Sequence, residues 1–216
     1  MSLDFYRLPH LRGDWQNASW GLLFVMWGVM MAAMMLPSAI PLMSLFCRYC
    51  QVREEKIFVP ATMIMLGYIL PWFAFSAGAS TVQLWAARME MIDNNTMALA
   101  GAIPRATFFF IAGAYQFTPL KFSCLRRCQH PAIFLMMNWR HGTRGAFLMG
   151  VHNGLFCTGC CWALMLLLFV SGVMDLRWII ALTFFSLIEK TSPLSPRMTA
   201  YAVGTVLIGM GIAQLF

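Results

Sequence analysis

The stretch that decides the fold is Met149-Gly-Val-His-Asn-Gly-Leu-Phe-Cys-Thr-Gly-Cys-Cys-Trp-Ala-Leu-Met165. It lies in an apolar run from about Gly145 to Val173, which is long enough to cross a bilayer as a helix. Three cysteines occupy the middle of this run. The sequence therefore places sulfur at the depth of lipid.

Helical geometry gathers these sulfurs on one face. Cys157 and Cys161 are one turn apart, Cys160 lies beside them, and Asn153 falls on the same face. Thiols are ligands that select soft metal ions. His152 is a further candidate ligand, although it points roughly opposite Cys161.

Packing is the alternative interpretation of the same cysteines. A free cysteine behaves as a small apolar residue, and small residues are common between membrane helices. The clustering of three cysteines within five residues, flanked by His152 and Asn153, keeps the metal-site hypothesis open beside it.

The composition of the 216 residues is that of a membrane protein. The chain is 60% hydrophobic and 11% charged, whereas soluble domains carry about 25% charged residues. The net charge of +7 comes with no basic stripe outside the loops, so we expect no nucleic-acid partner. No cleavable signal peptide is expected, because the first apolar run is too long for a signal core.

We predict an all-α, polytopic bundle of about six membrane spans. A polar N-terminal segment covers residues 1–17, and a single transmembrane domain covers 18–216. The predicted spans are 18–46, 57–87, 104–124, 145–173, 178–188 and 198–216.

The first predicted span is rich in methionine. Met30 and Met34 are one turn apart and are candidate thioether donors, although adaptable packing is the alternative role. Pro37 and Pro41 predict a kinked end or an early exit from the helix. Close helix contacts are predicted at two small-residue pairs, Ala74/Gly78 and Ala200/Gly204.

Two further cysteine pairs lie near predicted span ends. Cys47 and Cys50 form a C-x-x-C in a predicted loop, which could be a metal clasp, a redox pair or chance. Cys124 and Cys128 share a face if the helix persists, and their basic neighbours, Lys121 among them, favour thiolates. Solvated surface thiols are the alternative for this pair.

Three polar residues stand out in the otherwise apolar segments. Gln116 lies within the third predicted span, and Glu189 and Lys190 close the fifth. Glu189 is the only candidate for an intramembrane carboxylate, so proton-driven antiport has little support.

Charge asymmetry predicts the orientation. The loops on one side of a six-span arrangement carry ten of the fifteen Lys and Arg residues, and the other side carries five. Since the side richer in Lys and Arg faces the cytoplasm, both termini are expected on the non-cytoplasmic side.

Four motifs, in order, carry a family resemblance. They are Met26-Trp-Gly-Val-Met-Met-Ala-Ala-Met-Met-Leu-Pro-Ser38, Gly113-Ala-Tyr-Gln-Phe-Thr-Pro-Leu-Lys-Phe-Ser-Cys-Leu-Arg-Arg-Cys128, Cys157-Thr-Gly-Cys-Cys-Trp162 and Glu189-Lys190. Over about residues 20–216 the chain resembles a bacterial family described only as predicted metal-binding integral membrane proteins, a domain of unknown function. The resemblance implies a polytopic inner-membrane protein that binds metal, and it supplies no reaction.

The leading hypothesis is a membrane protein that binds or translocates a soft metal, with copper as Cu(I) preferred. Cys157, Cys160 and Cys161 would be core ligands, and Cys124 and Cys128 an exchange pair. The expected partners are the lipid bilayer and either other membrane subunits or a metallochaperone.

Two rivals remain. One is a non-catalytic structural or assembly subunit of a larger membrane complex, in which the cysteines only pack. The other is a thiol–disulfide enzyme using Cys47/Cys50 or Cys124/Cys128, which has no signature beyond the spacing. No catalytic triad or phosphate-binding loop is present, so we favour a protein that is not an enzyme.

Overall fold

The fold is known from a computed structural model, which describes residues 19–52, 57–93, 98–173, 175–191 and 195–216. Within these ranges the chain is helical, and its one β-type pairing is an isolated bridge between Ile92 and Leu99. The predicted N-terminal segment, 1–17, lies outside the described residues. The helices are α1 Trp20–Val52, α2 Phe58–Arg88, α3 Ala102–Gln116, α4 Pro119–Gln129, α5 Pro131–Asn138, α6 Gly142–Met165, α7 Leu168–Ser171, α8 Leu176–Thr191 and α9 Pro196–Ala213.

Three helical stretches are long and apolar enough to cross a membrane. They are Trp20–Val52, Phe58–Arg88 and Gly142–Ser171, the last formed by α6 together with α7. The prediction of an all-helical fold is confirmed for the described residues, whereas six spans and the placement of the termini stay predictions.

The first helix is longer than predicted. It continues through Pro37 and Pro41 to Val52, so the predicted loop at Cys47 and Cys50 was wrong. A proline removes one backbone donor but leaves the other hydrogen bonds of a long helix in place. Cys50 is buried against Phe46 and Met149, and the C-x-x-C therefore forms the last helical turns.

The third predicted span is two helices. α3 ends at Gln116, and the Thr118 side chain caps α4 by accepting a hydrogen bond from the Lys121 backbone N–H. Pro119 follows at the first position of α4, where its missing N–H is not needed. This break changes the chain direction and brings α4 against α6 and α8.

Glycines allow α2 and α6 to pack backbone to backbone. A methyl group at Gly150 would collide with the Ile64 carbonyl, one at Gly67 with the Phe147 carbonyl, and one at Gly154 would lie 2.5 Å from the Tyr68 carbonyl oxygen. This glycine seam places Tyr68 of α2 directly beside the cysteines of α6.

Of the two predicted small-residue contacts between helices, the structure contains one. Gly204 packs against Gln116 and Phe117, so the contact predicted for the Ala200/Gly204 pair is present. A methyl group at Gly78 would meet no described atom within 4 Å, so the contact predicted there was wrong.

Candidate metal centre

The three cysteines of α6 are fully buried in the main core. Their exposed fractions are 2% for Cys157, 0% for Cys160 and 1% for Cys161. The Cys160 and Cys161 thiols both donate to the Cys157 carbonyl, at 3.1 and 2.8 Å. A cysteine sulfur moves between staggered positions by rotation about χ1, so leaving this carbonyl requires no change in the helix backbone.

A fourth thiol reaches this cluster from another helix. Cys128 of α4 contacts the thiol of Cys160, which in turn contacts Cys161, and Cys161 contacts Cys157. The four side chains form a continuous chain of sulfur atoms between α4 and α6.

Cys157 is surrounded by hydrogen-bonding groups from three other helices. The Lys190 ammonium donates to the Cys157 thiol at 3.0 Å and to the Ser38 hydroxyl at 3.1 Å. The Tyr68 hydroxyl lies 2.9 Å from the same sulfur and also hydrogen-bonds the Met35 carbonyl at 3.0 Å. A cation beside Cys157 stabilises the thiolate, which is the form that binds metals.

A thioether lies at the edge of this cluster. The Met35 sulfur is 4.0 Å from the Lys190 ammonium nitrogen. Met34 is buried in the same core, and Met30 packs against that core with a partly exposed side chain. Of the methionines of α1, Met35 is therefore the one with a recorded contact to a group that binds Cys157.

A second buried lysine, Lys121, is hydrogen-bonded to the backbone of the cysteine-bearing helix α6. The Lys121 ammonium pairs with Glu189 at 2.7 Å and donates to the Cys160 carbonyl at 2.6 Å. Lys121 and Glu189 are 0% and 1% exposed. The second carboxylate oxygen of Glu189, Oε1, has no hydrogen-bond partner among the described residues.

A small cavity reaches the cluster. Its volume is about 20 Å³, which is room for about one water molecule or ion. Its polar lining comes from Cys157, Cys128, Lys190, Tyr68 and two further side chains, Ser38 and Asn153, and its apolar lining from Pro41, Leu42 and Pro131.

A comparison with protein-family models identifies the family of the chain. The family model PpoB2, described as copper chaperone, matches residues 24–214. The chain belongs to this family. No match was found among curated proteins or among solved structures. The match spans all four motifs that carry the resemblance to metal-binding membrane proteins.

This copper chaperone family member has no ready-made polydentate site in its described ranges. There, no group of three or more His, Cys, Asp and Glu side chains is arranged to hold a metal ion as it stands. The thiols fit a soft ion by type and proximity, and two of them must first leave the Cys157 carbonyl.

The structure brings together only some of the sequence-predicted site residues. Asn153 and Lys190 join the cysteine cluster, and Glu189 is held one step away by Lys121. Three other candidates lie away from the cluster. His152 packs its ring on Phe134 and Phe156, and Cys47 and Cys50 end α1.

Gln116 is fully buried at the end of α3. Neither atom of its side-chain amide has a hydrogen-bond partner among the described residues. Gly204 of α9 packs on its Cβ. The structure records no contact between Gln116 and the thiols, so its part in the site stays a prediction.

Cys124 is not the solvated surface thiol that was the alternative for this pair. It is buried, and its sulfur packs on Gly159. Lys121 is engaged by Glu189 and not by this thiol. The predicted thiolate at Cys124 stays a prediction.

Sequence reasoning missed Ser38 and Tyr68 as partners of Cys157. Both lie on helices other than α6, and helical spacing relates only residues of one helix. The available signal was Ser38 itself, which ends the first family motif and adjoins Pro37.

Proposed function

We propose that this protein is a membrane-embedded copper chaperone that carries Cu(I) on Cys157, Cys160 and Cys161. The observation that supports this most is the buried cluster of contacting thiols, in a chain that belongs to a family described as copper chaperone. Thiolates and thioethers select Cu(I), whereas Mg²⁺ and Ca²⁺ require oxygen ligands.

Charge balance in the core is compatible with Cu(I). Lys190 and Lys121 contribute two positive charges, and Glu189 contributes one negative charge. Cu(I) bound by two thiolates and one neutral thiol is a complex with one negative charge, so the loaded core is neutral. Neutrality matters because an uncompensated buried charge is strongly unfavourable.

Thioethers supplement the thiols in this proposal. Met35 is near enough to Lys190 to approach a bound ion. Met30 and Met34 are one turn apart on α1 and form a row beside it. Thioethers bind Cu(I) without losing a proton, which suits weak intermediate sites for an ion in transit.

The membrane setting is part of the proposal. Three stretches are long and apolar enough to span, and their outward positions carry large apolar side chains such as Val29 and Leu155. We propose a bacterial inner-membrane protein of about six spans, with both termini on the non-cytoplasmic side. Reporter fusions at the termini and in the 131–141 region test this orientation, and cytoplasmic termini would contradict it.

The decisive experiment is copper content. The wild-type chain, purified in detergent and loaded with Cu(I) under reducing conditions, is compared with the triple variant Cys157→Ser, Cys160→Ser and Cys161→Ser. We expect the triple variant to lose the bound Cu(I) and the matched control Cys47→Ser to keep it. Equal copper in the triple variant would instead favour a structural subunit whose cysteines only pack.

A further inference from the structure

Two thiols of different exposure line the cavity beside the cysteine cluster. Cys157 is 2% exposed, whereas Cys128 is half-buried. Of the two thiols in this cavity, Cys128 is therefore the more accessible to an incoming ion.

Cys128 is also in contact with the next ligand inward. Its thiol lies within hydrogen-bonding reach of that of Cys160, which is completely buried. Since ligand exchange at a soft ion proceeds by a new sulfur approaching before the old one leaves, a contacting pair of thiols is the geometry that such a transfer needs.

A polar group without a protein partner also lines the cavity. Asn153 is 9% exposed, and its amide makes no hydrogen bond with the described residues. The amide is open to the cavity, so either solvent or a polar occupant can satisfy it. Asn153 is therefore available to an occupant of the cavity.

We propose that Cys128 is the exchange ligand through which Cu(I) enters and leaves the Cys157/Cys160/Cys161 cluster. The donor or acceptor outside is a soft sulfur ligand, either a small thiol or a cysteine of a partner protein. This proposal rests on the proposed function, and it adds the route and the ligand that connects the buried cluster to the outside.

The transfer balances without any redox step. A Cu–S bond to Cys128 forms as the Cu–S bond to the outside thiolate breaks, and the proton of the Cys128 thiol passes to the departing thiolate. The same exchange then moves Cu(I) from Cys128 to Cys160. Copper stays Cu(I) throughout.

Cys124 does not share this role, although it lies one turn away on α4. It is 8% exposed, it does not line the cavity, and its sulfur packs on Gly159. It therefore provides a matched control on the same helix. Cys47 provides a second control, because it is half-buried like Cys128 but lies at the end of α1.

Exchange kinetics test the proposal. Cu(I) is withdrawn from loaded protein by the chelator bathocuproine disulfonate, and the rate is followed optically for wild type, Cys128→Ser, Cys124→Ser and Cys47→Ser. We expect Cys128→Ser to slow withdrawal and reloading by at least about tenfold, within the range for removal of groups around a metal site, while copper occupancy persists. Cys128→Met keeps a soft sulfur and should restore much of the rate.

The outcomes separate the two proposals. If Cys128→Ser exchanges copper at the wild-type rate, the exchange role is overturned while retained copper in wild type leaves the chaperone proposal standing. If Cys128→Ser loses copper as completely as the triple variant, Cys128 is a resident ligand and the exchange role is likewise overturned. A wild-type chain that holds no copper overturns both.

Alkylation of the wild-type chain keeps the test independent of variant folding. Cys128 should react with N-ethylmaleimide before Cys157, Cys160 and Cys161, and loading with Cu(I) should protect it. Peptide mapping by mass spectrometry measures each site, with Cys47 as the unprotected reference. Equal labelling of Cys128 with and without Cu(I) would overturn the proposal.

Discussion

The ion pair between Lys121 and Glu189 is the residue-scale feature with the largest expected effect on stability. Both side chains are almost fully buried, and Lys121 also binds the Cys160 carbonyl. Lys121→Met leaves the Glu189 carboxylate buried without its cation. We expect this to lower the free energy of unfolding by about 3–5 kcal/mol, measured by thermal or denaturant unfolding in detergent.

The double variant distinguishes a broken pair from lost packing. Replacing both partners by methionine removes both charges, and buried ion pairs replaced by apolar residues are often near neutral. Lys121→Met with Glu189→Met should therefore recover most of the loss. A double variant as unstable as Lys121→Met alone would show that the ion pair is not the source.

Tyr68 makes a second residue-scale prediction, on copper affinity. Its hydroxyl hydrogen-bonds the Cys157 sulfur at 2.9 Å and so orients a proposed ligand. Tyr68→Phe should weaken Cu(I) binding about tenfold, as removal of groups that orient metal ligands does. Competition with a Cu(I) chelator measures this, with the exposed Tyr201→Phe as control. Equal affinities in both variants would contradict the role of Tyr68.

At this scale, sequence reasoning could place on one face residues of a single helix that the structure brings together. The shared face of Cys157, Cys161 and Asn153 follows from helical spacing, and Asn153 and Cys157 do line one cavity. It could not find Tyr68, because that contact depends on how closely α2 approaches α6. Nor could it tell that Cys128, and not Cys124, faces the cavity.

At the scale of elements, the glycine seam between α2 and α6 sets the position of Tyr68. Gly154→Ala would place a methyl group 2.5 Å from the Tyr68 carbonyl oxygen, so the helices must separate. We expect a loss of roughly 1–3 kcal/mol in unfolding free energy, typical of overpacking, together with weaker Cu(I) binding. Thermal unfolding and chelator competition measure the two effects.

Gly78→Ala is the matched control in the same pair of helices. Gly78 faces open space, so alanine there removes only backbone freedom in a helix and should stabilise the protein by about 0.5–1 kcal/mol. The prediction for the seam fails if both substitutions have the same sign.

Helix boundaries show where sequence rules apply at this scale. Thr118-Pro119 is a helix-start signal, and it divided a predicted span into α3 and α4. Pro37 and Pro41 were expected to kink the end of a helix or to end it early, and the helix continues past both. Local signals weigh each residue separately, whereas burial of Leu42, Phe46 and Cys50 holds the later turns of α1 in place.

At the scale of the whole molecule, the outer surface is the feature to explain. Large apolar side chains face outward along α1, α2 and α6, as at Val29, Leu70 and Leu155. Soluble monomers rarely expose large contiguous apolar patches, so this surface supports the proposed membrane setting. The all-helical fold was predictable from the sequence, but the sequence does not reveal which helices pack against which.

Arginine substitutions can distinguish a lipid-facing surface from a solvated one. Val29 is 65% exposed within α1, and Val52 is 85% exposed at its last residue. In a soluble bundle both sites would tolerate arginine. In a bilayer Val29→Arg should disfavour insertion by about 2.5–3.5 kcal/mol, because the charge lies within the hydrocarbon, whereas Val52→Arg reaches the interface. The fraction of chain that resists alkaline carbonate extraction measures insertion. Equal retention of the two variants would argue that α1 does not cross the membrane.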